Sequence, residues 1–173
     1  AIGGGSLWTG ETLSIDKEIV RLTNKKKPRA LFIPTASGDR EDYCDVFTKV
    51  YSKLGCKVQI LRVAELRPAY KEIKEKIQNA DLIYVGGGNT LKMMKRWNLL
   101  GIDKLLIRAF KKGTVLCGLS AGANCWFRYC SSDSLLFYDP TDKTLIRVKG
   151  LNLLPFTISP HHIREKHRDK GLR

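Results

Sequence analysis

The stretch Thr114-Val115-Leu116-Cys117-Gly118-Leu119-Ser120-Ala121-Gly122-Ala123 decides the architecture, because a short apolar strand there runs straight into Gly-x-Ser-x-Gly. This is the pattern of a nucleophile elbow, a serine held at the tip of a strand-to-helix turn. Such a turn strains the serine backbone, and the flanking glycines remove Cβ atoms that would clash in it. The Oγ of Ser120 then projects from the end of the strand. The Ala121 amide, at the start of the next helix, can stabilise an oxyanion formed beside it. The small residues Ala121, Gly122 and Ala123 stand where a helix must begin close to the sheet. The competing reading is a tight βα turn with no chemistry.

Upstream of the elbow, apolar runs at 28–34, 57–63 and 81–85 are short and bounded by proline or turn residues, which marks buried strands. Between them, residues 11–22, 41–54 and 70–78 carry apolar side chains at helical spacing, and a helix with Leu91, Met94 and Trp97 follows 86–90. Strand followed by helix, repeated, implies parallel βαβ units. The expected fold is α/β, a doubly wound, mostly parallel sheet with helices on both faces. Loops at the carboxyl ends of such strands share one crevice. Gly86-Gly87-Gly88-Asn89-Thr90 and Ser120 therefore fall on the same side of the sheet. Three glycines at a strand end let backbone approach a ligand closely, but no Lys-Ser/Thr pair follows as in a phosphate-binding P-loop. Residues 1–6 read as the end of a strand breaking into a glycine turn, so the chain is expected to lack part of its first strand.

Downstream, residues 125–129 are expected to continue the helix that begins at Ala121. Residues 135–138 and 145–148 are expected to form an antiparallel hairpin around Asp139-Pro140-Thr141-Asp142. The apolar run 151–158 leads into Ser159-Pro160-His161-His162, and all three histidines, His161, His162 and His167, lie in this last segment. A histidine base for Ser120 must come from there. The same three could instead be metal ligands, although no Cys or carboxylate has a recognised spacing with them.

The chain of 173 residues is long enough for one domain with a substantial core and short for two. Its 31 basic and 17 acidic residues give a formal charge of +14, yet only Lys25-Lys26-Lys27 forms a dense run and no aromatic residues are interleaved with it. The run reads as a solvated loop, and neither RNA nor DNA is an expected partner. Five cysteines without a CxxC suit buried free thiols and a reducing cytoplasm. No apolar run of 18 residues and no signal-peptide pattern is present, so no membrane contact is expected. No motif calls for a cofactor or metal.

Taken in order, Gly86-Gly87-Gly88-Asn89-Thr90, Gly118-Leu119-Ser120-Ala121-Gly122-Ala123, Ser132-Asp133-Ser134 and Ser159-Pro160-His161 resemble the peptidase E family of serine peptidases, over nearly the whole chain. The resemblance implies a class I glutamine amidotransferase-like fold, with serine where those enzymes carry cysteine. It implies Ser120 as nucleophile, His161 as base, and a Gly87 or Gly88 amide joining Ala121 in the oxyanion hole. Asp133 matches a family acidic position and is taken as the third catalytic residue. The family's structural triad draws its carboxylate from a glutamate further along than His161, and Glu165 and Asp169 lie within range. The C-terminal end that would carry such a glutamate is expected to be missing. Characterised members cleave dipeptides after an amino-terminal aspartate. A small acidic peptide is therefore the implied substrate, with Asn89 and Arg164 as candidate contacts, Arg168 another by proximity, and a monomer or homodimer as the assembly. A cyanophycinase-like isopeptidase and a non-catalytic domain of the same fold are the alternatives.

Overall fold

The computed structural model describes residues 1–162 together with Glu165 and Arg168. Its frame is a four-stranded parallel sheet in the order β2-β1-β3-β4. The strands are β1 (Arg29–Ile33), β2 (Lys57–Ile60), β3 (Leu82–Val85) and β4 (Val115–Gly118). Ile2 extends the frame, bridging in parallel to Leu119 beside β4. The first residues therefore run alongside that edge.

Alternation along β1 and β3 sorts the core into two layers, since successive strand side chains point to opposite faces. Ala30, Phe32, Leu82 and Tyr84 pack with Ile19 of helix α1 (Leu13–Leu22) and with Phe47 and Tyr51 of helix α2 (Glu41–Lys53). Leu31, Ile33, Ile83 and Val85 face the other way. They meet helices α3 (Tyr70–Asn79), α4 (Thr90–Leu100) and α5 (Ile102–Lys111) through Ile73, Ile77, Met93, Trp97 and Leu106. The inner strands β1 and β3 are thus buried between helical layers, the arrangement that parallel βαβ units demand, while β2 at the edge is partly exposed. Two helices rather than one separate β3 from β4. Gly101, left-handed at φ 70°, ends α4 and starts α5.

Two expectations downstream of Ser120 are corrected. The helix after the elbow, α6 (Ala121–Asn124), has a single turn, and residues 127–132 form a strand, β5 (Phe127–Ser132). The reason is a competitor for the carbonyls: Leu151 N–H donates to Cys125 O at 2.7 Å and Leu153 N–H to Trp126 O at 2.9 Å, so a returning turn takes the acceptors a longer helix would need. Residues 135–138 are also not a hairpin strand. Ser134–Phe137 is a 3-10 turn, and the strand β6 (Ile146–Lys149) pairs antiparallel with β5 instead. With β7 (Leu154–Ile158) these make a second sheet, in the order β6-β5-β7. The five cysteines are buried and unpaired. No helix among the described residues is long and apolar enough to cross a membrane.

Candidate active site

Ser120 sits at φ 53° and ψ −108°, a conformation an L-residue adopts only when its surroundings impose it. The surroundings here are steric. A Cβ on Gly118 would fall 2.4 Å from Gly122 O, and one on Gly122 would fall 2.0 Å from Val85 O. The two glycines of the motif therefore let the elbow close onto β3. Ser120 N–H donates to Ile2 O at 2.9 Å, and Ala123 and Asn124 N–H both donate to Ser120 O at 2.9 Å, which fixes the turn from either side.

The strand β7 delivers the chain to Pro160 and His161, and His161 Nε2 lies 2.9 Å from Ser120 Oγ. With the imidazole proton on Nδ1, the serine hydroxyl donates to Nε2, the geometry from which a base withdraws the proton. His161 is itself left-handed, at φ 57°, and its N–H donates to Gly3 O at 3.0 Å. One short segment, Ile2 to Gly4, thus touches both members of the pair. Ile2 brackets the elbow through Ser120 N–H and Gly118 O, while Gly3 and Gly4 support the histidine.

The glycine loop after β3 lies against the same spot. A Cβ on Gly87 would sit 3.5 Å from Ser120 Cβ. Gly88, at φ 137°, presses so closely on the 35–37 turn that a Cβ would fall 2.1 Å from Ala36 O. Among the described residues the amides of Gly88 and Ala121 have no hydrogen-bond acceptor, whereas Gly87 N–H donates to Tyr43 Oη at 3.3 Å. Asn89 is buried and both ends of its amide are engaged. Oδ1 accepts from Lys92 N–H at 2.9 Å as the cap of α4, and Nδ2 donates to Ser134 O at 3.2 Å.

The Ser132-Asp133-Ser134 segment ties β5 to that cap. Leu91 N–H donates to Ser134 Oγ at 3.0 Å, and the Ser132 and Ser134 hydroxyls lie 2.7 Å apart. Asp133 points elsewhere: its Oδ2 accepts from Arg168 Nη2 at 2.6 Å, and among the described residues no hydrogen bond joins it to His161. Arg168 is 0% exposed and also donates from Nε to Glu165 Oε2 at 2.6 Å. Glu165 N–H in turn donates to His161 O at 2.9 Å. The acidic residue therefore reaches the histidine segment through a buried guanidinium. Arg164, His167 and Asp169 fall outside the described residues. No three His, Cys, Asp or Glu side chains gather into a metal-sized cluster among the described residues.

A strained serine at the end of the parallel strand β4, bonded to a histidine and faced by backbone amides that have no acceptor among the described residues, defines a serine hydrolase-like site on an α/β frame. The model of peptidase family S51 matches residues 1–173, and the chain belongs to that family, as a serine peptidase. It is 35% identical over 166 residues to the uncharacterized peptidase YgaJ of Bacillus subtilis, covering 96% of this chain and 68% of that protein. It is 34% identical over 137 residues to peptidase E of Salmonella gallinarum, covering 76% of this chain and 53% of that protein. Among solved structures, a Listeria monocytogenes protein assigned provisionally to peptidase E superposes with a TM-score of 0.66 at 27% identity, over 90% of this chain and 81% of that one. A peptidase from an acI-B1 Actinobacterium shares the fold, with a TM-score of 0.71 at 20% identity, over 99% of this chain and 72% of that one.

Proposed function

We propose that this chain carries the catalytic site of a dipeptidase acting on small acidic peptides through a serine acyl-enzyme. The observation that carries the reading is the 2.9 Å contact between Ser120 Oγ and His161 Nε2 at a left-handed elbow. Ser120 Oγ attacks the scissile carbonyl as its proton passes to His161 Nε2, forming the C–O bond and placing negative charge on the carbonyl oxygen. The Ala121 and Gly88 amides accept that charge, worth roughly 10²–10³ in rate per donor. His161 then returns the proton to the amine nitrogen as the C–N bond breaks, and the acyl-enzyme is hydrolysed by a water that His161 deprotonates. Asp133 acts on this site through Arg168 and Glu165. Asn89 holds the loop rather than meeting substrate. The preference for an amino-terminal aspartate rests on the likeness to peptidase E. The positive formal charge and the basic residues that follow His161 suit an acidic substrate.

The test is a panel of Asp-x, Glu-x and isoaspartyl dipeptides with wild type and three variants. Ser120→Ala should lose turnover on the order of 10⁶-fold, as loss of a triad nucleophile does, with little change in stability. His161→Ala should lose far more rate than His162→Ala. A serine-directed fluorophosphonate should label Ser120 in the wild type. Normal turnover by Ser120→Ala, or equal losses at the two histidines, would overturn the assignment.

A further inference from the structure

The loop 86–88 has three successive glycines, the residues with the most backbone freedom to lose, yet it must hold an amide still beside Ser120. Its anchors are few. Gly86 N–H donates to Ile33 O at 3.1 Å and Asn89 N–H to Ala36 O at 2.8 Å, which fixes the two ends. Between them, among the described residues, Gly87 N–H is held by a side chain, donating to Tyr43 Oη at 3.3 Å.

Tyr43 is built to stay in place. It projects from α2, is 4% exposed, meets the Phe32 ring edge-on at 5.0 Å, and lies under Trp8 at 4.6 Å between centroids. Its ring is flush with the loop, since a Cβ on Gly86 would come 3.0 Å from Tyr43 Cε1. Gly87 is thus caught between the phenol on one side and Ser120 Cβ and Leu119 O on the other.

We propose that Tyr43 is a positioning residue for the oxyanion hole: its hydroxyl takes the Gly87 N–H, fixes the Gly86–Gly87 peptide against the nucleophile, and leaves the Gly88 N–H as the loop's donor to the reacting oxygen. The inference rests on the acyl-enzyme reading above. It divides the roles of two adjacent glycine amides that the sequence leaves interchangeable. Burial pushes the Tyr43 hydroxyl up to about 12, so it remains a neutral phenol, able to accept from Gly87, across the working range of the enzyme.

The test is Tyr43→Phe, which keeps the ring and its stacking and removes only the acceptor. A released peptide that drifts by about half an ångström should lower kcat about tenfold, scaled from the roughly 10²-fold cost of a 1 Å misplacement. KM should stay within twofold, the melting temperature should be nearly unchanged, and the rate of fluorophosphonate labelling of Ser120 should fall with kcat. A second measurement needs no variant: the Gly87 amide of the wild type, read by NMR hydrogen exchange, should be protected relative to the Gly88 amide. Wild-type kcat and labelling in Tyr43→Phe, a change confined to KM, or an unprotected Gly87 amide would each overturn the inference. Absence of labelling in the wild type itself would instead sink the acyl-enzyme reading, so the two failures are distinguishable.

Discussion

Gly4→Ala is expected to damage catalysis without damaging the fold. The added methyl group would lie 3.2 Å from His161 Nδ1 and 3.6 Å from Cε1, closer than a Cβ normally approaches a ring nitrogen. The ring has to yield, because Gly4 is held in line by its neighbours: Gly3 O accepts His161 N–H, and Ile2 is bonded on both sides to the elbow. A shift of about a third of an ångström relieves the contact and stretches the Nε2 to Oγ separation from 2.9 Å toward the weak end of the hydrogen-bond range. If a 1 Å misplacement costs roughly 10²-fold, a third of that costs about fivefold, or about 1 kcal/mol of transition-state stabilisation. Folding should not suffer in step. Gly4 is not among the residues of positive φ, so alanine fits its backbone, and the reduced freedom of the unfolded chain offsets the new contact by about 0.4–1 kcal/mol. The assay is kcat/KM on the best dipeptide of the panel, read beside the fluorophosphonate labelling rate and a thermal melt. Wild-type kcat/KM would refute the placement of the histidine ring. A loss matched by a large fall in melting temperature would refute the claim that the effect is local.

Two further outcomes follow from packing and charge. Gly122→Ala would drive a Cβ to 2.0 Å from Val85 O, the acceptor of Leu119 N–H one residue before Ser120. A cost of roughly 3 kcal/mol or more is expected, which calorimetry should read as a melting temperature lower by about 6–12 °C. A melt within 2 °C of wild type would show that the elbow is looser than described. Asp81 is different in kind. Partial burial alone would raise its pKa, but hydrogen bonds from Arg29 and Lys25, with N···O distances of 3.2 and 2.7 Å, outweigh that and hold the carboxyl well below the usual carboxylate range. A depressed pKa stabilises the fold above the unfolded value of about 3.9, and that stability is lost as pH falls through the folded value. Asp81→Asn should therefore melt below wild type at pH 7, with the gap narrowing as the pH is lowered past about 4. A gap that stays constant with pH would mean that the ion pairs contribute nothing.

The parts of this molecule that were legible in the sequence are those whose cause is local. Gly118 is required by a clash with Gly122 O four residues on, so the motif betrays the elbow before any tertiary contact is known, whereas the need for Gly122 comes from Val85 O on β3. Strands β1, β3 and β4 are short apolar runs because both faces are covered, and that signature is likewise carried by the run itself. What the sequence leaves open has the opposite property. Residues 125–132 could continue a helix or form a strand on their own account, and the choice is made by the 150–154 backbone, which takes the carbonyls of Cys125 and Trp126. Asp133 sits beside two serines in a stretch that suggests a catalytic carboxylate, but its partner is Arg168, 35 residues away and buried where sequence spacing says nothing of orientation. Asn89 offers the residue type expected of a substrate contact, and only the proximity of Ser134 shows both ends of its amide already used. Two residues that pack against the glycine loop and the Ser120–His161 pair were invisible for the same reason. Tyr43 reads as an ordinary core position of an amphipathic helix, and Gly4 as one of three turn glycines, until β3, the elbow and the histidine segment converge on them. The chemistry of such a site can be named from its motifs, whereas the precision of its alignment is set by residues whose sequence context advertises only packing.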